Sequence, residues 1–227
     1  MDVKRWGLSL LVAILLGLLG LSGGPDYRRR PLRVLCIGDD WVASEVPFHL
    51  WQSLQARLGP VEVFNEGRLQ HSAHDILQFT KNDYEGLADL RPDVALILVG
   101  VQDGLRGYPT LYRLCDDVRR TIRLAKTWQN PEGRPTLVIL TPLPDQVLPG
   151  GAPAPAEFTR RARAEMNPCF QDIADREGIP LVDLEALPIP DDPTPEALSR
   201  WLARAWFRTL MPYTGLRTLP DPAQGTE

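Results

Sequence analysis

The sequence predicts an α/β fold, a three-layer α/β/α sandwich around a five-stranded parallel sheet. Two observations carry this. Short apolar runs, of the kind found in strands buried on both faces, recur along the chain. Longer amphipathic stretches fill the intervals between them, and such alternation calls for right-handed crossovers with helices on both sides of the sheet. The size suits this: 227 residues, 44% hydrophobic and 24% charged, are enough for one domain with a full core.

In chain order, strands are expected at Arg33 to Gly38, Val61 to Asn65, Val94 to Gly100, Thr136 to Thr141 and Pro180 to Leu184. Helices are expected at Val46 to Leu58, Ser72 to Leu90 in two pieces, Thr110 to Trp128, Ala156 to Glu177 and Pro195 to Leu210. Leu111, Leu114, Val118 and Ile122 form the buried stripe of the third helix, and Leu198, Trp201, Leu202, Ala205, Trp206 and Leu210 that of the last. The Pro- and Gly-rich stretch Asp145 to Pro155 reads as a loop after the fourth strand. No repeat or low-complexity array is present.

Both ends stand apart from this pattern. Lys4 and Arg5 precede an apolar run from Trp6 to about Leu21, followed by Ser22-Gly23-Gly24-Pro25 and Arg28-Arg29-Arg30. Residues 1–30 therefore read as a signal peptide or an N-terminal membrane anchor, against the alternative of a buried core helix. The run is short for a span of ~20 residues, yet no clean A-x-A cleavage site follows, which tips the balance toward an uncleaved anchor. No cysteine follows the run, so a lipoprotein is not indicated. The domain proper is expected over residues 31–211, and 212–227 as a polar, Pro-rich tail. A formal charge of -4 gives no basic footprint for nucleic acid. Of three cysteines, Cys36 lies in an apolar strand, while Cys115 and Cys169 lie in two helices that could be neighbours, which leaves a disulfide between them open.

Four blocks stand at strand ends in a telling order: Gly38-Asp39-Asp40-Trp41, Asn65-Glu66-Gly67-Arg68-Leu69-Gln70, Gly100-Val101-Gln102-Asp103-Gly104-Leu105-Arg106-Gly107, and Asp191-Asp192-Pro193-Thr194-Pro195. From about Arg33 to Leu210 the chain resembles the SGNH (GDSL) hydrolases, with the Gly-Leu-Arg-Gly run similar to their lysophospholipase and thioesterase branch. The resemblance implies a flavodoxin-like strand order 2-1-3-4-5 and, in active members, a serine in the first block, a glycine oxyanion donor in the second, an asparagine in the third and Asp-x-x-His in the fourth. Here Asp40 stands at the serine position, Gln70 at the glycine, Gln102 at the asparagine and Thr194 at the histidine; only Asp191 keeps the family's identity.

In that strand order the first and third strands end side by side, where open α/β sheets bind ligands. Asp40, Trp41, Gln70 and Gln102 are thus the expected ligand-binding set, with Trp41 either in the crevice or packed in the core. Asp40 has no hydroxyl proton to lose, and Thr194 is too weakly basic to act as a general base. A carboxylate at position 40 also opposes the charge that builds on a carbonyl oxygen under attack. No member of the catalytic set survives intact apart from Asp191, and serine-type hydrolysis is not expected.

Asp40 could serve as a carboxylate nucleophile with water activated by His71 or His74, giving a serine-independent ester or thioester hydrolase. Ser44 reads as the cap of the following helix rather than a displaced nucleophile. Asp40, Asp103, Asp191 and Asp192 could gather round a cation, but no ligand spacing supports it, and neither a metal nor a cofactor is expected. Asp39 and Asp103 are expected to accept backbone hydrogen bonds in tight loops. Arg160, Arg161 and Arg163 read as a solvated helix face that could meet anionic headgroups. The expectation is a catalytically degenerate SGNH-like domain, a pseudoenzyme, membrane-anchored or secreted with its domain outside the cytoplasm. It would bind an envelope saccharide, lipid or protein.

Overall fold

The structure is a computed structural model, and it describes residues 30–214. The leader, apart from Arg30, and tail residues 215–227 lie outside the described residues, and with them the signal-or-anchor expectation. Among the described residues no helix is long and apolar enough to cross a membrane.

The sheet consists of β1 (Leu32–Gly38), β2 (Val61–Gly67), β3 (Val94–Leu98) and β4 (Leu137–Leu140), all parallel, in the order β2-β1-β3-β4. β1 is buried from Val34 onward and β3 throughout, as near-continuous apolar runs in a doubly covered sheet should be. Between the strands lie α1 (Val46–Leu58), α2 (Ala73–Asn82), α3 (Tyr84–Asp89), α4 (Val101–Arg106) and α5 (Leu111–Ala125). After β4 come α6 (Ala156–Arg161), a π-helical turn (Ala162–Met166), α7 (Asn167–Glu177) and α8 (Pro195–Leu210), which ends in a 3-10 turn at Met211–Tyr213. α1 packs on α8; α5 packs on both α2 and α7. These two groups are the outer layers of the sandwich.

The expected α/β/α architecture and strand order hold, with one correction. The fifth strand shrinks to a single bridge between Leu181 and Leu140, made by Leu140 N–H to Pro180 O (3.0 Å) and Val182 N–H to Leu140 O (2.9 Å). Pro180 supplies no N–H at one end. At the other, the Asp183 carboxylate accepts the Ala186 N–H (3.0 Å), turning the chain away from the sheet.

Both expected helical stripes are buried, except that Leu111 is only partly covered. The Trp206 indole N–H donates to Thr141 Oγ1 (2.9 Å), so this large ring is packed without stranding its polar atom. Cys115 on α5 and Cys169 on α7 are joined in a disulfide with Cα atoms 6.3 Å apart, while Cys36 is free and buried.

Candidate functional site

Three glycines set the frame. A Cβ on Gly38 would fall 1.9 Å from Leu98 O, so only glycine lets the ends of β1 and β3 lie this close. A Cβ on Gly67 would fall 2.1 Å from Ala43 N, so the segment after β2 runs directly against the one after β1. Gly100 takes a left-handed conformation (φ 114°) that turns β3 into α4. The Asp39 carboxylate then accepts the Val101 N–H (2.8 Å) at the first residue of that helix. Asp103 in turn accepts the Ala73 N–H (2.8 Å), tying α4 to the start of α2, where Ser72 and Asp75 form a reciprocal capping box.

This frame brings Asp40, Gln70 and Gln102 together. The Gln70 N–H donates to Asp40 Oδ1 (3.2 Å), and the Gln102 side-chain amide donates to Asp40 Oδ2 (2.9 Å). Gln70 has a positive φ of 61°, a conformation that glycine takes freely and that few other residues adopt. The donor is a main-chain N–H, so it does not depend on the side chain at position 70. Gln102 is only 8% exposed, and its NH2 group is committed to Asp40. Two donors converge here, and each is met by one oxygen of a single carboxylate.

The remaining candidates are occupied elsewhere. Thr194 is the N-cap of α8, its hydroxyl accepting the Ala197 N–H (3.2 Å). Asp191 and Asp192 are exposed, and among the described residues no hydrogen bond joins Asp191 or Thr194 to Asp40. Trp41 is 1% exposed and belongs to the core, so of the two positions open to it the packed one is taken, and it offers no surface to a ligand. His71 donates from Nδ1 to Leu69 O (2.8 Å), and His74 Nδ1 lies 3.2 Å from Asp117 on α5. Neither histidine is hydrogen-bonded to Asp40. The Ser44 hydroxyl donates to Trp41 O (2.6 Å) and receives the Val46 N–H (3.4 Å), but the N-cap of α1 is Glu45, without a side-chain cap hydrogen bond, so Ser44 sits one residue ahead of the cap position expected for it. Among the described residues no group of His, Cys, Asp or Glu is arranged to hold a metal ion.

Electrostatics follow burial. Asp39 is fully buried, and desolvation pushes its carboxyl up to about 8, against the opposing pull of the Val101 N–H; the neighbouring Asp40 adds to the rise. Asp103 is raised as well, chiefly by burial. Both acids accept backbone hydrogen bonds, as the sequence suggests.

Comparisons with known proteins agree with the fold. The GDSL-like Lipase/Acylhydrolase family model matches residues 36–205. The chain belongs to this family. A lipase/acylhydrolase from Enterococcus faecalis superposes with a TM-score of 0.61 at 17% identity, covering 83% of this chain and 99% of that one. An acetylxylan esterase from Geobacillus stearothermophilus gives 0.60 at 17%, covering 83% and 97%. An aryl esterase from M. smegmatis gives 0.61 at 17%, covering 79% and 98%. At these identities the solved structures attest the SGNH/GDSL fold. No match is found among curated proteins.

What sequence reasoning missed is the mutual satisfaction of Asp40, Gln70 and Gln102. A signal was present: Asp40, whose ionised side chain only accepts, stands in the first block, and Gln102, whose side-chain amide can donate, in the third. The short helix α4 was also missed, because its glycine and six-residue length hide any periodicity.

Proposed function

We propose that this GDSL-family domain is a pseudoenzyme that acts by binding, with its oxyanion donors held shut by its own Asp40. The observation that carries the reading is the pair of hydrogen bonds from Gln70 N–H and Gln102 Nε2 to the two Asp40 oxygens. Oxyanion stabilisation requires donors free to meet charge developing on a substrate carbonyl, and these already meet a full negative charge. The nucleophile position offers no hydroxyl, and the residue at the base position caps a helix. Loss of nucleophile and base together removes most of the rate enhancement of such a site.

We further propose that the domain works at the cell envelope, on a saccharide, lipid or protein. The Cys115–Cys169 disulfide supports an oxidising compartment, since such bonds persist chiefly outside the cytoplasm. The apolar run after Lys4 and Arg5 supports export in the same direction.

The test is hydrolysis of p-nitrophenyl acetate and of a short acyl thioester by the protein and by Asp40→Ala. The expected result is no turnover above buffer in either. Turnover by the protein that disappears in Asp40→Ala would make Asp40 a carboxylate nucleophile and overturn the reading in favour of a serine-independent hydrolase.

A further inference from the structure

Away from Asp40, a groove of about 1160 Å³ opens beside the last strand of the sheet. Its walls are residues 142–146 after β4, one side of α7 (Asn167, Gln171, Asp175), the irregular segment 179–189 and Trp201. The side chains of Asn167 clasp Leu143 through both its N–H (2.8 Å) and its carbonyl (3.0 Å), so one wall is rigidly tied to the next.

Two independent properties say what this groove takes. The first is an open sheet edge. Val182 N–H bonds Leu140, and backbone groups alternate sides along an extended chain, so the N–H and C=O groups of Leu181 and Asp183 point away from β4. Among the described residues neither N–H has a partner, and both residues line the groove. Unpaired edge groups of this kind are a template for another strand. The second is charge. Asp145 is paired with Arg163, the only cation in the lining, whereas Asp175, Asp183 and Glu185 have no cationic partner among the described residues. Between them lies half-buried apolar surface from Leu181, Leu184 and Leu187.

We propose that this groove binds an extended basic segment of a protein partner, which adds as a strand beside Leu181–Leu184. Its backbone pairs with Leu181 and Asp183, its apolar side chains cover the leucines, and its lysines or arginines meet Asp175, Asp183 and Glu185. The proposal goes beyond the reading of the Asp40 site and does not depend on it, since no residue is shared.

The test uses the full chain, disulfide intact, and a capped seven-residue peptide of alternating valine and lysine, titrated by calorimetry and followed by hydrogen exchange. Expected are saturable binding, slowed exchange at the Leu181 and Asp183 amides, and at least tenfold weaker binding to Asp183→Lys/Glu185→Lys. The same peptide N-methylated on alternate residues should lose binding when the methyls face the edge, which a purely ionic contact would not. No protection of either amide at millimolar peptide, equal binding of an alternating valine–glutamate peptide, or a groove filled by a second copy and seen as a dimer abolished by the double variant would overturn it.

Discussion

Where β1 meets β3, and along the outer side of Leu181–Leu184, the same sheet ends in opposite ways. At the first place every convergent donor has an internal acceptor: Gln70 N–H and Gln102 Nε2 share Asp40, and Val101 N–H has Asp39. At the second, the Leu181 and Asp183 amides have no acceptor, and Asp175, Asp183 and Glu185 have no cationic partner, among the described residues. Buried polar groups are costly unless satisfied, and a site that satisfies itself has little left to offer a ligand. On the reading proposed above, family position and binding capacity separate within one fold.

That contrast breaks most decisively if chemistry can be put back at the closed end. Asp40→Ser combined with Thr194→His restores a hydroxyl and a base at the two family positions. The expected gain in p-nitrophenyl acetate hydrolysis is on the order of 10²-fold or more over the unmodified protein, with Asp40→Ser alone at the buffer rate. A double variant as inert as the parent would mean that the frame itself, and not only its side chains, is no longer competent.

The disulfide stiffens the layer beside the open end. Replacing Cys115 and Cys169 by alanine frees a loop with a sequence separation of 54. Chain-entropy reasoning puts the loss near 4 kcal/mol, read as a lower urea midpoint under oxidising conditions. No loss would remove any stabilising role for the bridge.

Opening the closed end by Asp40→Ala should cost about 1–3 kcal/mol, since two donors lose their acceptor. The same variant should recover part of that stability in acetate, whose carboxylate fits the vacated position, while the parent shows no acetate effect in a thermal melt. Equal responses would argue that the two donors are not held together as a pair.

Asp39 ties stability to pH. Its carboxyl is held up to about 8 by burial, whereas an unfolded chain ionises it near 4. Between those values the native state keeps a proton that the unfolded state has lost. The stability linked to Asp39 is therefore full below about pH 4 and declines as pH rises toward about 8. Asp39→Asn should flatten the slope of urea stability across that window, and an unchanged slope would assign it to other groups.

Much of the architecture was legible from residue order alone. The apolar runs ending at Gly38 and preceding Gly100 are strong signals, because a doubly covered strand has nowhere to hide a polar residue. α1 and α8 are found with the bounds expected, each starting with a proline in its first turn. The fifth strand is shorter than expected because Pro180 to Leu184 is apolar enough for a strand, while the Asp183–Ala186 turn that ends its pairing is a single side-chain hydrogen bond. At the site, identity told which groups were missing but not what those present would do. Whether Gln70 keeps its backbone donor depends on a φ angle, and whether Asp40 blocks or binds depends on two distances.

The π-helical turn between α6 and α7 has its own consequence for how one long helix serves two neighbourhoods. On its upstream side Phe158 packs where a side chain on Gly104 would fall, and the last residue of the turn, Met166, lies against Gly100. Downstream, Asn167 clasps Leu143 and Cys169 reaches Cys115. A residue in an α-helix advances about 100° around the axis. The wider turn acts as a phase shift between these two sets of contacts, so deleting one residue within Ala162–Met166 would leave only one of them aligned with its partners.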